Sequence, residues 1–244
     1  MRKILFIALS LICLQACQVA QLTTLYNDQT SVEKDGVRVD ALDKPITGVY
    51  QKYTDKMRLL EESHYVDGKL HGIYTAYGKK GKPVLIAQYQ NGKLNGKAIS
   101  YYENGKEKEI SSYKDDLLDG NDLAYYENGA LMRKATYVKG KKNGVFEEYY
   151  PNNVTKISAS YKKGKLNGTY KIRSEDNHLL SRADYVNGKL DGEMVSYYKN
   201  GKPKGIAFRN KGKLHGHAKE FDEKGHLKRL ITYQNGQEVN NVNF

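Results

Sequence analysis

The stretch Asn91-Gly92-Lys93-Leu94-Asn95-Gly96 decides the fold of this chain, because close copies of it recur along the sequence. The copies read DGKLHG from residue 67, KGKLNG from 163, NGKLDG from 187 and KGKLHG from 211. Asn-Gly between alternating segments is a strong signal of a β-hairpin, since both residues tolerate a positive φ. A second signal, Glu103-Asn104-Gly105, has copies at residues 127–129 and 199–201. The chain is therefore predicted to turn twice in every repeat.

The repeat has a constant length of 24 residues, and this fixed period is typical of repeat architectures. One glycine series and two aromatic series keep this spacing, with Arg209 and Arg173 as the exceptions among the aromatics. The first aromatic series is Tyr65, Tyr89, Tyr113, Tyr137, Tyr161, Tyr185 and Tyr233. No insertion breaks the register between residues 41 and 244, which gives eight repeats and a terminal half-repeat.

The segments between turns are six to eight residues long and rich in Tyr, Ile, Val and Thr, as is typical of strands. The residue two positions before a member of the first series, or before Arg209 in its place, is small or apolar, and residues two apart share a face. These positions are Ala87, Ser111, Ala135, Ala159, Ala183, Ala207 and Ile231. We therefore predict an all-β fold: an elongated, single-layer antiparallel meander of about sixteen strands, stabilised between neighbouring repeats.

The first seventeen residues have the pattern of a targeting segment. Arg2 and Lys3 precede an apolar stretch, residues 4–14, which matches a signal-peptide core and is too short to span a bilayer. The stretch ends in Leu14-Gln15-Ala16-Cys17, which resembles the lipobox of bacterial lipoproteins. In that class the cysteine carries the lipid, so the resemblance implies lipidation at Cys17. We expect a signal peptide over 1–16, a lipidated N-terminus and tether with one short strand over 17–40, and the repeat domain over 41–244.

The composition limits the function classes. Both cysteines lie in the first seventeen residues, so the repeats can hold neither a disulfide framework nor a cysteine zinc site. The formal net charge of +12 favours anionic partners. We do not expect nucleic acid as the partner of a secreted chain, nor a small-molecule substrate or a cofactor.

Segments such as YYENGKEKEISSYKDD, from residue 101, resemble the MORN-variant repeat, above all the bacterial YwqK-type antitoxin family. The resemblance covers residues 41–244 and includes the entry segment Asp43-Lys44-Pro45-Ile46-Thr47-Gly48. It implies a protein-interaction surface, and the antitoxin assignment implies neutralisation of a toxin by binding. A lipid anchor argues against a cytoplasmic toxin as the target.

No side-chain pattern indicates catalysis. The acidic residues do not recur as an acid–base pair, and no serine has an evident base or oxyanion donors. His215, His217 and His226 lie close together in the sequence and are candidate ligands of a metal site. However, His71 and His215 occupy a position that is Asn or Asp in other repeats, so we interpret them as turn residues and predict neither a metal site nor an enzyme.

Lysines recur just after the first turn of the repeat. If the turns alternate between the two edges of the sheet, these lysines share one edge. Two interpretations remain: a solvated edge that keeps the turns soluble, or a surface for an anionic partner. The six residues of this candidate surface are Lys69, Lys93, Lys141, Lys165, Lys189 and Lys213.

The sequence as a whole indicates a non-catalytic lipoprotein of the cell envelope, membrane-anchored, whose repeats bind a protein or another envelope component. The outer membrane is the expected location if the organism has one. The alternative is an antitoxin or immunity protein that binds one dedicated toxin.

Overall fold

The computed structural model describes residues 24–244, and these form 22 β-strands. The strands are β1 Leu25–Tyr26, β2 Ser31–Lys34, β3 Val37–Asp40, β4 Gly48–Tyr53, β5 Leu59–Val66, β6 Lys69–Tyr77, β7 Pro83–Gln90, β8 Lys93–Tyr101, β9 Glu107–Lys114, β10 Leu117–Tyr125, β11 Leu131–Val138, β12 Lys141–Tyr149, β13 Thr155–Lys162, β14 Lys165–Leu166, β15 Gly168–Arg173, β16 Leu179–Val186, β17 Lys189–Tyr197, β18 Pro203–Asn210, β19 Lys213–Leu214, β20 Gly216–Phe221, β21 Leu227–Gln234 and β22 Gln237–Asn243.

From β4 to β22 neighbouring strands along the chain pair antiparallel, with β14 and β15 both paired to β13 and with β19 and β20 both paired to β18, so the predicted all-β meander is confirmed. Two strands are interrupted at one residue each. Asn167 separates β14 from β15 and His215 separates β19 from β20, and in both cases the residue still donates its N–H to the preceding strand. With each interrupted strand counted once, the meander from β4 to β22 has 17 strands, close to the predicted number of about sixteen.

The first turn of each repeat is a two-residue turn in which both residues have positive φ, as Asn91 (52°) and Gly92 (81°) do. This is the mirror-image turn whose twist matches that of the flanking strands. The glycine four residues later has another role. Gly96 has a φ of 120° inside β8, where Tyr89 pairs with Leu94 but Ala87 pairs with Ala98. The sequence pattern treated the whole stretch from Asn91 to Gly96 as a turn signal, but the structure places its last glycine at a β-bulge in the strand that follows the turn.

Most of the buried residues of the sheet form a row across one face, which we call the core face. Ala87, Ala135 and Ala159, from the series of small residues, are nearly fully buried. Ala135 and Ala159 flank Phe146, which pairs with both. The ring of Tyr161 lies edge-on to that of Phe146, with centroids 5.8 Å apart. The core therefore packs aromatic rings against small residues, as the predicted alternation of tyrosine and small residue requires.

The N-terminal part of the described chain differs from the tether expected up to residue 40. Strand β1 pairs in parallel with β4, and β2 and β3 form a hairpin of their own. The guanidinium of Arg38 lies 3.8 Å from the centre of the Tyr50 ring, and Asp28 accepts a hydrogen bond from the Tyr50 hydroxyl. The end of a repeat array exposes apolar surface, and this segment covers it, so residues 24–47 act as a cap.

Candidate binding surface

The first turns of successive repeats lie side by side along one edge of the sheet. The Gly92 N–H donates to the Leu70 carbonyl at 2.7 Å, and Gly140 and Gly188 repeat this bond to the carbonyl 22 residues before them. Each turn is therefore held by the turn before it as well as by its own hairpin. We call this edge, with its turns at 67–68, 91–92, 115–116, 139–140, 163–164, 187–188, 211–212 and 235–236, the lysine edge.

The structure brings all six predicted lysines to the lysine edge. Each is the first residue of the strand that follows a turn, and each is exposed. Within residues 24–244, none of the six forms an ion pair. They are Lys69, Lys93, Lys141, Lys165, Lys189 and Lys213.

An acidic turn divides the lysine edge. Asp115 and Asp116 occupy the turn that follows Lys93, and Leu117 stands at the lysine position. The Asp116 carboxylate accepts a hydrogen bond from the Leu94 N–H at 2.7 Å, so it binds the backbone of the preceding repeat. The longer positive stretch lies beyond this break, between residues 139 and 213.

Three further lysines stand in the turns of that stretch with backbone angles that lysine seldom adopts. Lys139, Lys163 and Lys211 have φ values of 48°, 51° and 49°. Asn or Asp fits this left-handed conformation better, and other turns of the edge use Asn91 and Asn187 there. The sequence shows the extra charge, but only the backbone shows that it occupies strained positions.

The residue before the bulge glycine, interpreted from sequence as a turn former, lies in a strand in most repeats, and at the interruption of a strand in the case of Asn167 and His215. Its side chain serves the next repeat: Asn143 Oδ1 accepts the Lys163 N–H at 3.1 Å, and Asp191 accepts that of Lys211 at 3.2 Å. His71 and His215 occupy this same position. In the described part of the chain, no three His, Cys, Asp or Glu side chains converge as metal ligands would.

The tyrosine pairs of the second turn hold neighbouring repeats together. The hydroxyl of the second tyrosine donates to a backbone carbonyl 23 residues later: Tyr102 to Tyr125, and Tyr126 to Tyr149, both at 2.7 Å. Sequence reasoning left open which member of each pair is exposed; in the structure both members are partly buried. We call the edge formed by the second turns, opposite the lysine edge, the tyrosine edge.

Cys17 and the expected signal peptide lie outside the described residues. Over residues 24–244, the chain has no helix long and apolar enough to cross a membrane.

Comparison with protein families supports the repeat assignment. Five segments match the family model described as the MORN repeat variant: residues 94–115, 118–139, 142–163, 190–211 and 214–235. The interval between the third and fourth segments contains Arg173 and Ser174, where other repeats carry a tyrosine pair. No curated protein matches the chain. The chain thus contains MORN-variant repeats, an arrangement that suggests a repeat-based binding scaffold.

Proposed function

We propose that this array of MORN-variant repeats is a non-catalytic envelope lipoprotein, anchored through Cys17, that binds an acidic protein along the lysine edge. The observation that carries the proposal is the stretch from residue 139 to 213. There, turns of successive repeats hold lysines in line and exposed, and within the described residues the ammonium groups of these lysines form no ion pair.

The strained lysines favour binding over simple solvation. A turn needs only Asn, Asp or Gly at its left-handed position, and Asn187 fills it at a lower conformational cost in the same stretch. Lys139, Lys163 and Lys211 add charge at a conformational cost. Because the fold does not require lysine at these strained positions, we infer that their charge serves to bind a partner. An exposed row of ammonium groups is complementary to carboxylates.

Site-specific photo-crosslinking in intact cells tests which edge meets the partner. Val186 and Leu180 lie in the same strand, β16, and have similar exposure, 46% and 41%. Val186 precedes a turn of the lysine edge, and Leu180 follows a turn of the tyrosine edge. A benzophenone amino acid at position 186 should capture a protein that the same group at position 180 does not.

Charge neutralisation then tests the chemistry. Lys141, Lys165, Lys189 and Lys213 are changed together to Gln. The control changes four exposed lysines of the tyrosine edge: Lys56, Lys106, Lys199 and Lys224. Exposed charge pairs contribute roughly 0.2–1 kcal/mol each, so four should weaken capture about tenfold, and added salt should weaken it similarly. Equal capture by both quadruple variants would contradict the proposal.

The resemblance to YwqK-type antitoxins supports a second candidate function, inhibition of one dedicated toxin by direct binding. The same captured material separates the two functions. One protein at stoichiometric yield supports the antitoxin role, and several envelope proteins at low yield support the scaffold.

A further inference from the structure

Position 78 departs from the pattern that the other turns of the tyrosine edge keep. Four repeats carry a tyrosine there, as Tyr102 shows, and three carry a side chain that folds back on its own turn. In those three, Thr54, Ser174 and Asp222 each accept the N–H of the residue four positions later, at 3.1, 3.1 and 2.8 Å. Gly78 has the backbone hydrogen bonds of the turn, but it supplies neither a ring nor a side-chain contact to the turn.

A cavity of about 130 Å³ lies where the missing ring would be. It runs from Gly78 across Val84 to Tyr102, so it spans two neighbouring turns of the tyrosine edge. Pro83 adds to its apolar wall. Its remaining lining is charged: Lys79, Lys80, Lys82 and Glu103.

The other repeats show what fits such a space. The Tyr102 ring lies 5.8 Å from the Lys108 ammonium, and its hydroxyl reaches the Tyr125 carbonyl at 2.7 Å. The residues 24 positions earlier are Val84 and Tyr101. A phenol entering the cavity from outside would therefore meet an apolar side chain in place of the ammonium, and a backbone carbonyl as its acceptor.

The charged residues at the rim of the cavity favour a negatively charged ligand. Lys79, Lys80 and Lys82 are exposed and stand against the single carboxylate of Glu103. Within the described chain, none of the three lysines is engaged in an ion pair. The excess of positive charge favours carboxylates beside the entering ring.

We propose that the cavity between Gly78 and Tyr102 binds a tyrosine side chain from an acidic segment of a partner protein, which takes the place of the tyrosine that this repeat lacks. The site lies on the tyrosine edge, opposite the lysines of the proposed function, and does not depend on that function.

Methyl NMR of the full-length protein, with capped tripeptides as probes, tests the proposal. Acetyl-Glu-Tyr-Glu-amide should shift the Val84 methyl signals saturably. Acetyl-Glu-Leu-Glu-amide should bind about fivefold more weakly, because it lacks the ring. Acetyl-Lys-Tyr-Lys-amide should bind more weakly still, because its lysines are repelled by the lysines at the rim of the cavity. Equal binding of the Tyr and Leu probes, or no shift with the Glu-Tyr-Glu probe, would overturn the proposal.

A variant that fills the cavity provides the sharper test. An added Cβ at Gly78 would lie 2.8 Å from Val84 Cγ1, so Gly78→Tyr is combined with Val84→Lys, the pair found at Tyr102 and Lys108. This double variant should abolish probe binding, followed through the methyl signals of Leu85. Ser174→Tyr, the matched control in another turn, should leave it unchanged.

A second variant, in which the cavity stays open, tests the site even if the filled variant fails to fold. Lys79, Lys80 and Lys82 changed together to Gln should weaken Glu-Tyr-Glu about fivefold. The same variant should retain the preference for Tyr over Leu. Undiminished binding by the filled variant, or an unchanged affinity in the lysine variant, would refute the tyrosine site.

Discussion

The hydroxyl of Tyr126 donates a hydrogen bond to the carbonyl oxygen of Tyr149, 2.7 Å away and one repeat further along the chain. Tyr102, Tyr150 and Tyr198 make the equivalent bond to Tyr125, Arg173 and Phe221. Because each repeat contacts only its neighbours, bonds of this kind set the coupling along the array.

Tyr126→Phe removes this bond while keeping the ring. A net hydrogen bond contributes about 0.5–1.5 kcal/mol, so the free energy of unfolding in urea should fall by about 1 kcal/mol. Tyr125→Phe is the control, since the Tyr125 hydroxyl has no hydrogen-bond partner within residues 24–244. Equal losses in the two variants would show that the Tyr126 hydroxyl does not couple the repeats.

Gly144→Ala tests the bulge series. The φ of Gly144 is 116°, and an added Cβ would lie 2.5 Å from Thr136 Oγ1. A strained backbone of this kind costs about 1–3 kcal/mol, so the thermal midpoint should drop. Adding Thr136→Ala relieves the contact but not the backbone angle. Full rescue by this second change would show that crowding, and not φ, makes glycine necessary.

Asp122→Ala tests the buried polar position of the core face. Asp122 is 3% exposed and pairs in register with Ala135, next to Phe146 in the same row. It accepts hydrogen bonds from Ser111 at 2.7 Å and from Arg133 at 3.0 Å. Its removal leaves the buried Ser111 hydroxyl unpaired and leaves Arg133 with Glu109 alone, so we expect a loss of about 2 kcal/mol in urea unfolding.

Glu109→Gln is the matched control, because Glu109 pairs with the same Arg133 at 2.9 Å but its side chain is 43% exposed. An exposed pair of this kind contributes about 0–1 kcal/mol. If Glu109→Gln cost as much as Asp122→Ala, burial of Asp122 would not be the source of its effect.

The tyrosines make the array sensitive to alkali. Burial, followed by a hydrogen bond to Glu147, raises the pKa of Tyr149 to about 12, and burial near Glu61 raises the pKa of Tyr74 to about 12. Unfolded tyrosine titrates near 10. The folded chain therefore keeps protons that the unfolded chain loses, and stability falls as pH rises from about 10 to about 12.

Tyrosinate absorbance checks this directly. The native protein should titrate at higher pH than the protein in urea, and Tyr149→Phe should reduce the difference. Identical titration curves in the two conditions would contradict the expected pKa shifts.

Cys17→Ala tests the proposed anchor. Two or more acyl chains hold a protein stably at a bilayer, so loss of the acceptor cysteine should move the protein from the membrane fraction to the soluble one. Cys13→Ala is the control, and it should stay with the membranes. Unchanged fractionation of Cys17→Ala would rule out lipidation at this residue as the anchor.

The sequence by itself determined the strands of the repeats, their antiparallel order, and the tyrosines and small residues that share one face. Hairpin pairing is local, and a period of 24 residues repeats each turn and each Tyr–Ala pair in one register, so no long-range information was needed. The same local logic placed Lys69 and Lys93 on one edge.

Only the tertiary structure decided the roles that depend on contacts between repeats. It assigned Gly96 to a bulge, gave Asn143 and Tyr126 bonds to the next repeat, and opened a cavity at Gly78. It also turned residues 24–47 into a cap, where Tyr50 meets Asp28 and Arg38. These contacts join residues of different repeats or segments without a shared pattern, and a periodic sequence shows which positions recur but not what each position touches.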